Sequence, residues 1–486
     1  MPILFPRPFA FAVDDLGWNE GSDLSQNQIQ GPHRAGVKRV FDIHDYQSMV
    51  AVGKAVGTRI QCLFILSEMD RENVLAKFPT TTYLRDKWNN SNRVNPDQVE
   101  IMNYVRDQAA YMEFGLHGTG HEYWAPGEPQ KRAEWYNLTD KKPWPEQSLR
   151  EHLECFKKIM SQYGFTKENG HSFPESFVPC AYSYYWNPTG AYSLGKLLSE
   201  VGVKYANTDF SQIPELNPPK ELNGGGFDFG THVVNRINYG NSWYQLDKLP
   251  TVPIQDQDSD IIESHWPNWL AQDDFLQAET NARWIDYYKS VQRMPDRYIA
   301  KNTEQFHSQW LYKAYTTVTE MPNGSLEIDN TRMNEKAYTH HLLGNMVLKV
   351  KLEKGQHLSS ALLNGVPIPA YFEDQGFGFL YLPPLEKKRY SLTYFMSGNL
   401  LPLYVNHSET SNIYDLTVRS GYVQLKIRIY GEQSLTIKCD QPKRVLSKSE
   451  NLKINFSSYD SGARTLKLVV KGTDMQGSTG NIEVQY

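Results

Sequence analysis

Two short polar segments of this 486-residue chain carry the side-chain types that bind divalent metal ions. His117-Gly-Thr-Gly-His121 follows the apolar run 111–116, and Asp14-Asp15 follows the apolar run 9–13. Two imidazoles and one carboxylate suit zinc, and three protein ligands leave a position open for water, as catalytic sites do. The second aspartate of the pair is then free to move protons. These residues predict one metal site whose two halves lie far apart in the sequence.

Strand and helix signals alternate through the first part of the chain. Strand-like runs lie at 8–13, 58–66, 111–116, 175–180, 203–207 and 260–264. This alternation is typical of βα units around a parallel sheet or barrel. Asp14-Asp15, His117 and His265 each come at the C-terminal end of a predicted strand, where parallel α/β folds collect their catalytic side chains. We therefore expect these three segments to meet at one end of the fold.

Two predicted helices carry their own boundary signals. Asn95-Pro96 predicts the start of one helix, because proline is favoured at the first helical position after a capping asparagine. Ser148 and Glu151 form a capping-box pattern that predicts the start of another, and Gly164 predicts its end. The second helix has one predicted apolar face, formed by Leu149, Leu153, Phe156, Met160 and Tyr163.

The hydrophobic period changes to two from about residue 319. Apolar residues alternate with mostly polar neighbours at 346–352, 423–429 and 452–456, as in half-buried antiparallel strands. All 11 tryptophans lie at or before Trp310, so we expect the chemistry in the first part of the chain. The sequence predicts a (β/α) barrel at residues 1–318, followed by two small all-β sandwich domains at 319–397 and 398–486.

Composition sets several classes of partner aside. The net charge is −5 and no basic block is present, so nothing indicates a nucleic-acid partner. No apolar stretch approaches the roughly 18 residues that a membrane span needs. The first residues lack the features of a signal peptide, so export requires a leader outside this chain. The cysteines have no CxxC spacing, which indicates neither a zinc ribbon nor a disulfide framework; they are Cys62, Cys155, Cys180 and Cys439.

Three of these segments resemble motifs of a known family. In chain order, Asp14-Asp15, His117-x-x-x-His121 and Ile261-Ile-Glu-Ser-His265 resemble the first, second and fifth motifs of the polysaccharide deacetylases, the NodB-homology family. The resemblance covers roughly the first 300 residues. It implies a distorted (β/α) barrel that removes N- or O-acetyl groups from a carbohydrate with a bound divalent metal, for which we expect zinc.

The resemblance also implies a role for each motif residue. Asp15, His117 and His121 would be the metal ligands. Asp14 would be the general base that takes a proton from the attacking water, and His265 would be the general acid that protonates the departing amine or alcohol. This is the chemistry that the residue types favour on their own.

Residues near the motifs are expected to contact the substrate. Tyr182 is expected there, because a backbone N–H in the segment 180–182 would face the developing oxyanion. Trp124 and Trp266 are expected to contact a sugar ring, since rigid aromatic faces suit the apolar faces of sugars. Asp209, in Asn207-Thr-Asp209-Phe210, weakly resembles the fourth motif.

The chain departs from the family pattern at three places. Val178 stands where the third motif has an arginine that orients the base, and Gly118 stands where the second motif has serine or threonine. A polar insertion at 71–95 separates the first two motifs and is a candidate rim or lid.

Two alternative functions stay open at this stage. A glycoside hydrolase on a related barrel would need two carboxylates flanking a sugar, and Asp209 with Asp258 or Asp260 is the available pair. The missing arginine also allows a catalytically idle barrel that only binds a glycan.

Overall fold

A closed parallel barrel forms the first part of the chain. The computed structural model describes residues 3–19, 40–91, 96–125, 133–187, 193–218, 224–368, 370–397, 404–406, 409–419 and 421–486. Its first ten strands are β1 (Ile3–Leu4), β2 (Arg7–Leu16), β3 (Ile60–Ile65), β4 (Met112–Gly118), β5 (Ser176–Phe177), β6 (Tyr205–Thr208), β7 (Gly225–Asp228), β8 (Thr231–Ile237), β9 (Ile261–His265) and β10 (Arg297–Ile299). The parallel strands β2, β3, β4, β5, β6, β8 and β9 close the barrel, because β9 pairs with both β2 and β8.

Helices lie along part of the barrel. They are α1 (Ile43–Val56), α2 (Pro96–Asp107), α3 (Glu146–Gln162), α4 (Leu194–Val201), α5 (Gln277–Arg293), α6 (Thr303–Tyr315) and α7 (Glu335–Thr339). The first four connect β2 to β3, β3 to β4, β4 to β5 and β5 to β6. Short 3-10 turns lie at Ser67–Met69, Val74–Lys77, Arg85–Lys87, Lys167–Asn169, Cys180–Tyr182, Pro214–Leu216, Ile254–Asp256, Trp266–Trp269 and Asp274–Leu276.

The structure confirms all six predicted strands of the barrel region, but β8 was not predicted. Strands of a barrel are buried on both faces and therefore read as apolar runs, and β3 is buried at every position. The predicted start of α3 at Ser148 is wrong, because the helix begins at Glu146 directly after Pro145. Its five predicted apolar positions are all buried. Asn95 lies outside the described residues, and α2 begins at Pro96 as predicted.

The remainder of the chain forms β-sheets. The strands are β11 (Thr317–Glu320), β12 (Leu326–Asp329), β13 (Met346–Lys351), β14 (His357–Leu363), β15 (Val366–Pro367), β16 (Ala370–Asp374), β17 (Phe377–Leu382), β18 (Arg389–Ser397), β19 (Tyr404–Asn406), β20 (Asn412–Arg419), β21 (Tyr422–Ile429), β22 (Glu432–Lys438), β23 (Arg444–Ser447), β24 (Leu452–Asp460), β25 (Thr465–Gly472) and β26 (Ser478–Gln485).

These strands form sheets of eight, five and four strands. The eight-stranded sheet has the order β1-β13-β17-β16-β19-β22-β25-β24, and its neighbours are antiparallel except for β16 and β19. The five-stranded sheet has the order β11-β12-β18-β14-β15, and the four-stranded sheet has the order β20-β21-β26-β23. The eight-stranded sheet therefore includes strands from both predicted sandwich domains and also a strand from the start of the chain.

The β-sheets dock against the end of the barrel at which its strands begin. Arg59, directly before β3, donates to the Met475 carbonyl oxygen over 3.0 Å and to Glu113 of β4 over 2.8 Å. Arg428 of β21 donates to Glu175, directly before β5, over 2.8 Å, and it also pairs with Glu304 of α6. Each of these barrel residues lies at the N-terminal end of a strand. The predicted site lies at the opposite end of the barrel.

Helix α6 lies between the barrel and the sheets and is buried from Thr303 to Tyr312. Its polar side chains form hydrogen bonds with residues of the barrel region and with residues of the sheets. The Gln309 amide donates to the carbonyl oxygens of Pro6 and Val347, each over 2.9 Å. None of the described helices is both long enough and apolar enough to cross a membrane. All four cysteines are buried and unpaired by disulfides.

Replacing Arg428 tests how much this docking contributes to the free energy of unfolding. Arg428→Met leaves the buried Glu304 without its cation and leaves Glu175 with Lys204 alone. We therefore expect a loss of about 3–5 kcal/mol in the free energy of unfolding, measured by urea denaturation at pH 7. Arg389→Met breaks an exposed pair with Asp329 and should cost no more than about 1 kcal/mol. Equal effects of the two substitutions would contradict this interpretation.

The same pair predicts a pH dependence. Burial raises the pKa of Glu175, but Arg428 and Lys204 outweigh burial and lower it below its usual value. A carboxyl group whose folded pKa is lowered stabilises the fold above its unfolded pKa of about 4.3 and loses that contribution as the pH falls further. Wild-type stability should therefore fall more steeply below about pH 4.3 than that of Arg428→Met.

Candidate metal centre

Asp14 and Asp15 lie in an irregular part of β2. The pairing of β2 with β3 shifts between Val13 and Leu16, which marks a bulge at the aspartate pair. Asp15 has a φ of 71°, in the left-handed region that short polar residues reach most easily. Neighbouring residues of a regular strand face opposite sides of the sheet, so the bulge is what allows both buried carboxylates to face the same site.

His117 lies near the end of β4 at a second irregularity. The pairing of β4 with β3 shifts at this point, and His117 has no residue opposite it on β3. Its Nδ1 lies 2.8 Å from the carbonyl oxygen of Val178, which can only accept a hydrogen bond. Nδ1 therefore carries the proton, and Nε2 is left with its lone pair available for a metal ion.

Potential metal ligands converge beside His117. His117, His121 and Cys180 each place a ligand atom within 4.8 Å of the other two, and all three residues are buried. Asp15 Oδ1 lies 3.4 Å from His117 Nε2 and has no hydrogen-bond partner in the described part of the chain. Two atoms that bind one tetrahedral zinc ion at about 2.0–2.1 Å lie about 3.3–3.4 Å apart. The buried His/His/Cys group can therefore hold a metal ion, whereas Asp15 contacts the first of the two histidines but does not belong to that group.

A buried carboxylate, Glu134, holds the loop between the two histidines. It accepts the backbone N–H groups of Thr119 and His121 over 2.9 Å each and that of Gly120 over 3.3 Å. It also accepts from His152 Nδ1 over 2.7 Å. Three backbone donors on one carboxylate fix the path of the loop, including His121 at a φ of 68°.

Glu134 also explains why glycine stands at position 118, where the family has serine or threonine. A Cβ atom on Gly118 would lie 2.1 Å from Glu134 Oε2 and 3.1 Å from Cys180 Sγ. Any side chain there would displace the carboxylate that organises the loop.

The base candidate Asp14 has an arginine partner after all. Arg236 of β8 donates from Nη1 to Oδ1 over 2.9 Å and from Nη2 to Oδ2 over 2.7 Å, and both side chains are buried. Burial raises the pKa of Asp14, but the charge of the Arg236 guanidinium and its hydrogen bonds to this carboxylate outweigh burial and lower it. Val178 thus stands where the family has its arginine, while a different strand supplies the guanidinium that orients this carboxylate.

A second buried carboxylate, Glu263 of β9, extends this network. Its Oε2 lies 3.4 Å from Arg236 Nε, and its Oε1 accepts from the Tyr182 hydroxyl over 2.8 Å. Burial and the nearby Glu263 charge raise the pKa of Tyr182, so this hydroxyl remains a donor. Ala181 and Tyr182 have φ values of 51° and 59°. The hydrogen bond to Glu263 therefore anchors a turn whose backbone is strained.

His265, the acid candidate, is the last residue of β9. It lies directly opposite Asp14 in the parallel pairing of β9 with β2. Paired strands lie about 4.8 Å apart, so the proposed base and acid stand on neighbouring strands. The His265 N–H donates to Asn268 Oδ1 over 2.8 Å, which fixes the backbone where the strand turns into the next loop.

The two tryptophans expected at the substrate have different surroundings. Trp124 is buried, at 2% exposure, and its ring lies 5.6 Å from that of Tyr83, which is 57% exposed. Trp266 is fully buried and packs against Phe41 and Tyr46 at 4.7 Å each, so the structure places it in the core.

Asp209 lies just after β6, and its carboxylate accepts from the N–H of Ser211 over 2.8 Å and from the Ser211 hydroxyl over 2.6 Å. In the structure it therefore stabilises a turn.

The insertion forms a rim beside the metal loop. Its residues 71–91 are described, and 92–95 lie outside the described residues. Asp70 organises its start by accepting the N–H groups of Val74 and Leu75 and the Trp88 indole N–H. The Thr80 carbonyl oxygen accepts the N–H of Trp124 over 2.9 Å. The insertion is thus packed against the segment that follows His121.

Sequence reasoning missed four residues of this site: Glu134, Cys180, Arg236 and Glu263. Arg236 was missed together with its strand. Glu263 lies inside the quoted fifth motif, and Cys180 ends a predicted strand run, so these positions were the available signals. Glu134 carried no signal, because it lies in a polar loop without a recognisable pattern.

Comparison of the chain with known protein families, with curated proteins and with solved structures found no match.

Glu134→Gln should weaken metal binding without removing a ligand. The amide keeps one acceptor oxygen but loses the charge that holds the loop N–H groups and His152, and we expect zinc affinity to fall about 10–100-fold. Competition with a chromogenic chelator measures this. The control is Glu146→Gln, an exposed partner of Arg150 on α3. Unchanged affinity in a folded Glu134→Gln protein would show that the loop does not need its carboxylate.

Proposed function

We propose that this protein is a metal-dependent hydrolase that removes acetyl groups from a carbohydrate. The proposal includes a distorted (β/α) barrel of the deacetylase type, with two β-sandwich domains behind it. One observation carries it, namely that two adjacent carboxylates have separate surroundings. Asp15 Oδ1 lies 3.4 Å from His117 Nε2 and has no hydrogen-bond partner among the described residues. Asp14, in contrast, accepts two hydrogen bonds from Arg236. This is the arrangement that one ligand and one base require.

Asp15, His117 and His121 would hold the divalent ion. Zinc suits two imidazoles and a carboxylate, and the carbonyl oxygen of Val178 orients the first imidazole as metal-binding histidines require. When bound, such an ion polarises an acetyl carbonyl and lowers the pKa of water at the site.

The remaining residues would move protons and position the acetyl group. Asp14 is ionised and takes a proton from the attacking water, while Arg236 keeps both carboxylate oxygens in place. His265, on the neighbouring strand, gives a proton to the departing amine or alcohol. The backbone N–H of Tyr182 faces the oxygen that becomes negative, and Glu263 holds that turn in place.

The aromatic rim supports a carbohydrate as the substrate. Tyr83 is exposed on the insertion and its ring lies beside that of Trp124, close in sequence to His121. The Trp18 ring lies 5.3 Å from the His121 ring. Aromatic faces of this kind stack on the apolar faces of sugar rings. Because Trp124 and Trp266 are both buried, we assign the sugar contact to the exposed Tyr83, which packs against Trp124.

The glycoside hydrolase alternative is disfavoured by the position of its carboxylates. Asp209 follows β6, whereas Asp258 and Asp260 precede β9, and both strands run in the same direction in the barrel. The pair therefore lies at opposite ends of strands that rise about 3.3 Å per residue. A glycosidase needs its two carboxylates about 5–9.5 Å apart across one sugar.

The idle-barrel alternative rested on the missing arginine at position 178. Arg236 supplies a bidentate partner for Asp14, so this reason for expecting an inactive protein no longer applies. The docking of the sheets at the other end of the barrel favours a supporting role for the sandwich domains.

Metal content is the first test of the proposal. Wild-type protein purified without added metal should contain about one zinc ion, and Asp15→Ala and His117→Ala should bind zinc at least about 10-fold more weakly, since each loses a ligand. Elemental analysis and chelator competition measure this, with the exposed His44→Ala as the control. Equal metal content in all four proteins would refute the metal centre.

Asp14→Asn separates the base from the metal ligands. The amide keeps the shape of the side chain but cannot take a proton, so acetate release from acetylated saccharides should fall about 10²–10⁴-fold while zinc content stays unchanged. Asp107→Asn, at an exposed position on α2, should retain full activity. If Asp14→Asn remains active, the base must be sought elsewhere.

A further inference from the structure

Cys180 lies among the predicted metal ligands. Its Sγ is within 4.8 Å of a ligand nitrogen of His117 and of His121, and the thiol is fully buried. We propose that Cys180 Sγ binds the same ion as these two histidines. This inference rests on the proposed metal centre, but it assigns a sulfur donor that the family motifs do not contain.

The local backbone favours this position for the sulfur. Cys180 follows β5 at the same barrel end as His117, and the left-handed Ala181 turns the chain immediately after it. Gly118 leaves the space that the sulfur needs, since a Cβ there would lie 3.1 Å from Sγ. Of the four buried cysteines, Cys180 is the one that belongs to such a donor group within the described ranges.

Ligation would change the chemistry of Cys180. The Sγ–H now lies 3.4 Å from the carbonyl oxygen of His117, and binding would release that proton to solvent as Sγ forms a bond to the ion. With Asp15 the site would then offer two nitrogens, one oxygen and one sulfur. A thiolate selects zinc over manganese, which prefers oxygen donors. Catalytic zinc can expand to five ligands, so water can still enter.

Cobalt(II) gives a direct readout, because a thiolate bound to cobalt produces a charge-transfer absorption in the near ultraviolet that histidine and carboxylate ligands lack. Cobalt-loaded wild-type protein should show this band, and Cys180→Ser should lose it while still binding cobalt. Cys439→Ser, a buried cysteine of the β-sheets, should keep it. In chelator competition Cys180→Ser should lose at least about 10-fold in zinc affinity and much less in manganese affinity.

X-ray absorption of the zinc-loaded wild-type protein covers the case in which Cys180→Ser does not fold. A sulfur neighbour at about 2.3 Å, besides nitrogen and oxygen at about 2.0–2.2 Å, is the expected result. A bound zinc with only nitrogen and oxygen neighbours overturns the assignment of Cys180 and leaves the proposed metal centre standing. Failure of the wild-type protein to bind zinc at all overturns both.

Discussion

The buried guanidinium of Arg236 is the group on which the rest of the candidate site depends. It lies between the carboxylates of Asp14 and Glu263, all three side chains being almost completely buried. Charges are costly to remove from water, and such a cluster persists only when each member is matched in geometry and hydrogen bonding. Because Glu263 in turn holds Tyr182, one cation links β2, β8 and β9 with the turn at 181–182. Asp14 and the turn at 181–182 are therefore positioned by the same charge.

The loop between His117 and His121 is held by the opposite arrangement of charge, in which an anion is surrounded by hydrogen-bond donors. Successive backbone N–H groups that point to one spot form a concavity that attracts anions. Here Glu134 fills that concavity from within the protein and is itself paired with His152, whose Nε2 lies 3.0 Å from the Thr80 hydroxyl. The insertion thereby connects to the loop through buried polar groups. This loop is irregular, because His117 lies at a break in the strand pairing and His121 has a left-handed backbone. It can persist because Glu134 accepts the backbone N–H groups that would otherwise lack a partner.

The sequence predicted the barrel strands that are buried on both faces, because such strands are apolar runs. It did not predict the strand whose polar groups face the barrel interior. The barrel strands other than β8 are of the first kind. In β8 only Val233 and Val234 are apolar neighbours, since His232, Asn235 and Arg236 carry polar groups, and His232 and Arg236 are buried. Because Arg236 lies on β8, the failure to predict this strand also explains why the partner of Asp14 was missed. The His117-x-x-x-His121 pattern could be recognised because few residue types bind metal ions. Glu134 could not be recognised, because it binds backbone N–H groups, which do not depend on the residue type.

The pairing of β1 with β13 and of β2 with β9 and β10 sets the order in which this chain can fold. A chain made from its N-terminus exposes β1 and one edge of β2 long before β13, β9 and β10 exist. The barrel cannot close until β9 has been synthesised, and β1 waits longer still for β13. Contacts of such long sequence separation form slowly, and unpaired strand edges invite association with other chains in the meantime. The open edges of the first strands therefore stay available for such association until β9, β10 and β13 have been made.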